Sequence, residues 1–136
     1  MAKAGSASAF GGATGLSELD FPYLATLDLN GFSNTVGSVS GGAGNSILLG
    51  NQTLTIAGTS GSQTFAGNIS GAGGSLAVTG SGGTTVLDGV NTYTGGTTIG
   101  SGAMLSIGDG AATGASLAGN VVNLSLIHIS EPTRPY

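Results

Sequence analysis

Apolar and polar residues alternate along short segments of the chain, each bounded by Gly, Ser or Asn. The alternation is clearest in Leu27-Asp28-Leu29, Leu54-Thr55-Ile56, Leu76-Ala77-Val78 and Leu105-Ser106-Ile107. A period of two places Leu and Ile on one face of a β-strand and Thr, Ser or Asp on the other. No stretch of about 11 residues or more has the spacing of a helix.

The pattern therefore predicts an all-β protein built from many short strands. Thr, Val and Ile in these segments suit the pleated surface of a sheet. The strands are predicted at Leu27–Leu29, Val36–Val39, Ser46–Leu49, Thr53–Ile56, Thr64–Ile69, Ser75–Thr79, Thr84–Leu87, Thr97–Ile99, Met104–Ile107 and Leu117–Val122.

The segments resemble one another, which favours a repeating architecture. LDLNG (27–31), LTIAG (54–58), LAVTG (76–80) and LSIGDG (105–110) share an apolar-x-apolar strand followed by a turn. Each has two or three inward residues, so a single unit cannot bury a core, whereas stacked units can. The sequence therefore predicts a solenoid of parallel strands, a β-helix. A β-sandwich is the competing fold, but it would need longer strands and more aromatic residues than the 5% present.

Composition narrows the class of protein. The chain has 136 residues, of which 28 are Gly, and Gly disfavours helix interiors by about 1 kcal/mol each. Hydrophobic residues make up 39% and charged residues 6%, which is unlike a disordered chain of high charge. The net charge of −4, with two basic residues, argues against nucleic-acid binding. With no Cys, neither disulfides nor a Cys-based metal site are expected.

The last residues, 124–136, differ from the rest of the chain. LSLIHISEPTRPY contains the only His (His128), the only Arg (Arg134) and two of the three prolines. Written as codons, Leu124 to Arg134 matches a transposase adapter used in sequencing libraries. We expect this tail to be non-native and the natural protein to be cut near Asn123. His128, Glu131 and Arg134 therefore carry no functional argument.

The segment Asn91-Thr92-Tyr93-Thr94-Gly95-Gly96-Thr97-Thr98-Ile99 resembles the β-strand repeat of bacterial autotransporter passenger domains. The stretches LDLNGFSNTVG (27–37) and QTFAGNISG (63–71) are also typical of these passengers. The resemblance covers roughly residues 24–123. It implies a right-handed β-helix in which the repeat positions are structural: Gly89, Asn91, Tyr93, Gly95, Gly96, Thr97, Thr98 and Gly102.

The resemblance also implies a location and a gene structure. Such passengers are exported by an N-terminal signal and reach the cell surface through a C-terminal β-barrel in the outer membrane. The N-terminal MAKAGSASAFGG has no apolar core of a signal peptide. We therefore expect an internal fragment with Met1 as a chance start, an irregular lead-in over 1–23, a β-helix over 24–123 and the tail over 124–136. No cofactor is expected.

Further predictions concern the asparagines, Tyr93 and Thr85. The asparagines Asn30, Asn91 and Asn120 are expected at turns, where Asn tolerates a left-handed backbone and bonds neighbouring backbone groups. The ring of Tyr93 is expected to pack against an adjacent turn with its hydroxyl reaching a loop. Thr85 stands where the family pattern has an apolar residue, which puts the register of that strand in question.

The residues offer little for catalysis. Outside the tail there is no His or Arg, and Lys3 is the only Lys, so a Ser-His-Asp triad is excluded within residues 1–123. Paired carboxylates can hydrolyse glycosides, and this leaves as candidates Glu18, Asp20, Asp28, Asp88 and Asp109. Alternation alone explains the spacing of Glu18 and Asp20, and the other three are expected to face water.

The sequence likewise gives little support for a metal site or a nucleotide site. GGAGNSIL (41–48) resembles one calcium-binding nonapeptide, but it has Asn45 and no Asp, and such sites require tandem copies. The Gly-rich GSGG (80–83) lacks the strand-loop-helix context of a phosphate loop.

The predicted function is therefore non-catalytic: a stalk or adhesive segment of a surface-exposed or secreted autotransporter passenger. Expected partners are a host surface, a glycan or another copy of the protein, with no nucleic acid and membrane contact only through a barrel. Two alternatives stay open: a secreted β-helix adhesin without its own barrel, and the spacer part of a larger β-helix enzyme.

Overall fold

The chain forms a solenoid of short strands, and each turn contributes one strand to each of three sheets. The computed structural model describes residues 2–6, 9, 18–21, 24–58, 61–108 and 116–124. Within these ranges there are sixteen strands and no helix. In chain order they are β1 (Ala2–Lys3), β2 (Glu18–Phe21), β3 (Thr26–Asp28), β4 (Asn34–Val36), β5 (Ser38–Gly41), β6 (Ser46–Leu48), β7 (Thr53–Ile56), β8 (Gly61–Phe65), β9 (Asn68–Ser70), β10 (Ser75–Val78), β11 (Gly83–Leu87), β12 (Val90–Asn91), β13 (Thr97–Ile99), β14 (Met104–Ile107), β15 (Ser116–Leu117) and β16 (Val121–Asn123).

Strands from successive turns lie side by side. Sheet I has the order β1-β3-β6-β9, sheet II β16-β13-β10-β7-β4, and sheet III β14-β11-β8-β5-β2. The short pair β12-β15 continues sheet I, because the N–H of Thr92 donates to the carbonyl of Ile69 at 2.9 Å. Neighbouring strands are parallel throughout. The predicted all-β parallel β-helix is confirmed, and its handedness stays a prediction.

The core consists of columns of apolar side chains that run along the solenoid. Leu27, Ile47 and Ile69 are Cα partners in sheet I, so successive turns here are 20 and 22 residues long. All three are at most 2% exposed. In sheet II, Leu54 stacks on Leu76 in the same way. Each such burial stabilises the fold by about 1.5–3 kcal/mol, and it requires the neighbouring turn, as the stacking argument predicts.

The four similar sequence segments do not occupy equivalent places. The segment at Leu27 lies in sheet I, those at Leu54 and Leu76 lie in sheet II, and that at Leu105 lies in sheet III. Their similarity therefore reflects the shared demand for two inward side chains before a corner. The similar segments are therefore not one equivalent strand repeated in every turn.

Three of the predicted strands are each two strands in the structure. Val36–Val39, Thr64–Ile69 and Leu117–Val122 all contain a corner between sheets. At the first of these corners Val36, Gly37, Ser38 and Val39 are all buried, because the bend turns consecutive residues toward the core. The corners are one to three residues long and each contains a single Gly, which a sequence pattern does not distinguish from a Gly within a strand, so these three predictions were wrong.

Other strands fall as predicted, and some were missed. Thr53–Ile56, Thr97–Ile99 and Met104–Ile107 coincide with β7, β13 and β14. The two-residue β12 was not predicted. The lead-in over 1–23, predicted to be irregular, supplies β1 and β2. Its residue Phe21 packs against Phe65 with ring centroids 5.5 Å apart, so it joins the apolar face of sheet III.

The structure defines the register at Thr85, which the sequence left in question. Thr85 is the Cα partner of Gln63 on one side and of Leu105 on the other. It is 2% exposed and therefore faces the core. A threonine fills the inward position without shifting the strand.

Candidate functional site

The segment from Gly89 to Gly102 occupies most of the fourth turn. It begins at the corner before β12, passes through a turn at residues 94–96, and continues through β13 to the corner before β14. This segment is called the motif turn below. Its side chains divide into those that contact the turns above and below and those that face outward.

Asn91 is buried and bonded to three successive turns. It is 1% exposed, and it follows the inward column of Leu27, Ile47 and Ile69. Its Oδ1 accepts from the N–H of Ile69 at 3.1 Å. Its Nδ2 donates to the carbonyls of Gly89 and Ser116, each at 3.1 Å. The side chain therefore replaces backbone hydrogen bonds at a corner where β12 is only two residues long.

Tyr93 and Thr97 form a buried hydroxyl pair inside the same turn. Tyr93 is 0% exposed and Thr97 is 2% exposed, and Tyr93 Oη lies 2.5 Å from Thr97 Oγ1. Burial raises the pKa of Tyr93 to about 12, against a smaller opposing effect of the Thr97 hydrogen bond. The ring packs in the core as predicted, whereas the hydroxyl reaches strand β13 and not a loop.

The glycines of the motif turn allow close backbone contact between turns. A Cβ on Gly89 would overlap the carbonyl oxygen of Gly67 in the preceding turn. A Cβ on Gly95 would lie 2.5 Å from the carbonyl oxygen of Gly73. Gly96 has φ +98° and Gly102 has φ +80°, a left-handed backbone that favours glycine.

The remaining threonines lie on the outside. Thr98 is exposed, and it continues a row on the outer face of sheet II that contains Thr35, Thr55 and Ala77. The hydroxyl of Thr94 accepts from the N–H of Gly73 at 2.8 Å and so also links two turns. Thr98 is thus the one residue of the predicted set whose side chain is free to meet a partner from solution.

The prediction for the turn asparagines holds for the backbone of Asn30 and for the side-chain bonds of Asn91, and it is wrong for the backbone of Asn91 and Asn120. Among the described non-glycine residues, Asn30 alone has a positive φ, at 51°. Asn91 and Asn120 do not share this backbone. Asn91 bonds neighbouring backbone groups through its side chain, as predicted, because the amide can donate and accept at the same time.

Of the candidate carboxylates that the structure describes, Asp20, Asp28 and Asp88 lie on different parts of the solenoid. Asp20 accepts from the hydroxyl of Ser40 at 3.1 Å on sheet III, and Asp28 accepts from the N–H of Asn30 at 2.8 Å on sheet I. Asp88 precedes the corner at Gly89. Asp109 and residues 125–136, with His128, Glu131 and Arg134, lie outside the described residues. In the described ranges no three His, Cys, Asp or Glu side chains come together as a metal site.

The segment that resembles a calcium nonapeptide serves the fold. Asn45 is 3% exposed, its Oδ1 accepts from the N–H of Ala25 at 2.8 Å, and its Nδ2 donates to the carbonyl of Gly42 at 2.9 Å. Sequence reasoning missed this structural role, and also that of Asn34, whose Nδ2 donates to the carbonyls of Ser6 and Phe32. The only signal in the sequence was the position of each Asn beside a strand.

No helix among the described residues is long and apolar enough to cross a membrane.

Comparison with known proteins identifies one informative relative. Over 105 residues, or 75% of this chain, the sequence is 42% identical to the adhesin BmaC autotransporter of Brucella suis biovar 1 (strain 1330). The chain is similar to part of an autotransporter adhesin. The autotransporter resemblance predicted from the motif turn is thereby confirmed. The chain spans 3% of the length of that adhesin.

Two further comparisons add nothing to the autotransporter similarity. No family model matches the chain, and no solved structure matches it.

Proposed function

We propose that this segment is a non-catalytic structural part of a surface-exposed or secreted autotransporter passenger, and that it serves chiefly as a stalk. The observation that carries the proposal is what the polar side chains of the motif turn bond to. Its polar side chains are used inside the fold: Asn91 bonds the turns on either side, and Tyr93 and Thr97 bond each other in the core. The similarity to a surface adhesin supports the location.

A stalk needs length and a soluble outer surface. Strands in neighbouring turns lie about 4.8 Å apart, so the four complete turns extend the chain by about 19 Å. The outward residues in sheets II and III are largely Ser and Thr, as in the rows that contain Thr55 and Ser40. Such a surface is compatible with water along the whole solenoid, and similar turns can be added at either end.

An adhesive role is the second candidate, and the named relative favours it. The relative is an adhesin, and the outer face of sheet II presents the row of Thr35, Thr55 and Thr98. Hydroxyl groups in a flat row can bond to a glycan, to a host protein or to another copy of the chain. The two candidates differ in whether this face is needed.

Surface display separates the two roles. The full 136-residue chain is fused between an export signal and the translocation unit of a known autotransporter, with an epitope tag on its outward end. If the chain is a stalk, cells that display it should adhere no better than cells that display the translocation unit alone. The tag should also stay accessible to antibody. Adhesion that is lost in Thr55→Lys and Thr98→Lys, but kept in the matched sheet III variant Thr84→Lys, would establish the adhesive role instead.

The location is tested in the same cells. Added protease should cleave the displayed chain in intact bacteria. If the fused chain stays protected while a known passenger in the same fusion is cleaved, the proposal of a surface-exposed passenger is wrong.

A further inference from the structure

Asn30 is the only asparagine of the chain that is followed by glycine. Asn30 and Gly31 have φ values of 51° and 83°, and the N–H of Phe32 donates to the carbonyl of Leu29 at 2.9 Å. Residues 29–32 therefore form a type I′ turn. Asn30 and Gly31 are both exposed, so the turn presents a side-chain amide and the backbone nitrogen of a glycine to solvent.

The side-chain amide of Asn30 also ties the first strand to the solenoid. Its Nδ2 donates to the carbonyl of Ala4 at 3.0 Å, and the N–H of Ala4 donates to the carbonyl of Asp28 at 2.9 Å. Ala4 directly follows β1 and is 1% exposed. In the register that pairs Lys3 with Asp28, Ala4 lies beside Leu29, which is 0% exposed. The end of β1 thus covers the first part of the core.

An asparagine followed by glycine can lose its amide without an enzyme. The backbone nitrogen of Gly31 gives up its proton and forms a bond to Cγ of Asn30, while Nδ2 takes up a proton and leaves as ammonia. Water then opens the resulting five-membered imide at one of its two carbonyls and gives aspartate or isoaspartate. The attack is intramolecular, so proximity favours it.

The surroundings of the turn favour this reaction at Asn30. A Cβ at Gly31 would meet nothing within 4 Å, so water and the attacking nitrogen are unobstructed. Within the described part of the chain, no hydrogen bond holds the N–H of Gly31. Asn68 offers the contrast: it is also exposed, but it precedes the β-branched Ile69, whose N–H donates to Asn91 Oδ1 at 3.1 Å.

We propose that Asn30 is a site of self-modification whose conversion detaches β1 from the solenoid. An ionised acid at this position has no donor for the carbonyl of Ala4, and its oxygens repel that carbonyl. A polar group left unpaired beside the core is costly. The new charge also lies next to Asp28, whose Oδ1 accepts from the N–H of Asn30. This inference goes beyond the stalk role and does not depend on what the passenger binds.

Peptide mass spectrometry tests the modification. The purified full chain is incubated at mildly alkaline pH in water enriched in heavy oxygen, beside an unfolded synthetic peptide of residues 27–34. Asn30 should take up labelled oxygen and convert at least about tenfold faster than Asn68, which corresponds to a barrier difference of about 1.4 kcal/mol. If Asn30 stays intact while the peptide converts, or if Asn68 converts equally fast, the assignment of the site is wrong.

Hydrogen exchange tests the detachment of β1. Asn30→Asp introduces one product directly, and Asn68→Asp is the matched control, because it adds the same charge at an exposed asparagine of β9. In Asn30→Asp the N–H of Ala4 should exchange at least about tenfold faster than in the wild type, while the amides of β10 keep their protection. Unchanged protection of Ala4, or an equal loss in Asn68→Asp, would show that Asn30 does not control β1 and would overturn the proposal.

Discussion

The buried pair of Tyr93 and Thr97 makes a quantitative prediction about stability. Tyr93→Phe keeps the ring in place and removes the hydroxyl that lies 2.5 Å from Thr97 Oγ1. Thr97 is 2% exposed, so its hydroxyl would lose this partner inside the core. A buried polar group left in this way costs about 1–3 kcal/mol. Near pH 7 we expect the free energy of unfolding to fall by that amount.

The same pair predicts a dependence on alkaline pH. Burial raises the pKa of Tyr93 from 10.0 to about 12 in the folded protein. Below pH 10 the tyrosine is protonated in both states, and its contribution is fully present. Between pH 10 and 12 the unfolded chain loses the proton while the folded chain keeps it, so stability falls as pH rises. A shift of two pKa units corresponds to a loss of about 2.7 kcal/mol that is complete above pH 12.

The assay is urea unfolding of the wild-type chain and of Tyr93→Phe at pH values from 8 to 12.5, followed by circular dichroism. Tyr23 and Tyr136 are present in both proteins, so the difference between the two curves isolates Tyr93. The wild-type protein should lose its advantage over the variant between pH 10 and 12. Parallel curves over this range would refute the burial of the ionisable hydroxyl.

Three further substitutions and one control test the packing of the solenoid by thermal unfolding. Leu54→Ala removes a side chain that is 0% exposed and should lower the free energy of unfolding by about 2–5 kcal/mol. The control Thr55→Ala, at the outward neighbour, should change it by less than about 0.5 kcal/mol. Equal effects would contradict the assigned faces. Gly89→Ala should destabilise by about 1–3 kcal/mol or more, since its Cβ would overlap a carbonyl oxygen of the preceding turn; a neutral result would show that the turns are less closely packed. Leu105→Asp buries an unpaired charge and should abolish cooperative unfolding; an unchanged melting curve would contradict the inward position of Leu105.

Alternation predicts the faces of the sheets well, because burial enforces it residue by residue. Leu54 and Ile56 face the core and Thr55 lies between them on the outside, as the sequence alone indicates. The same holds for Leu105 and Ile107 in β14. A strand with one buried face has little freedom to change which residues point inward.

Alternation does not predict where the corners between the sheets lie. Val36–Val39 contains four consecutive buried residues because the chain changes sheet at Gly37. In a sequence such a run resembles one short buried strand. The bend is imposed by the next sheet, and its position depends on the turns above and below, which a single segment does not encode.

Polar residues in the core could not be assigned from the sequence either. The sequence counted Asn45 against a calcium site and predicted Asn91 at a turn, and it did not indicate that both amides bond backbone groups of the preceding turn. These bonds join residues 20 and 22 positions apart. Recognising them requires the length of each turn, and that length differs along the chain.

The distinctive residues of the motif turn are therefore the least available to a partner. Asn91, Tyr93 and Thr97 are buried, and Gly89 is held against the backbone of another turn. A partner that binds this segment must use the outward residues, such as Thr98, which are ordinary Ser, Thr and Ala positions. Because a solenoid repeats its corners wherever turns must be joined, the motif marks how the solenoid is built. If the proposed passenger binds a partner through this segment, the outer faces provide the contacts.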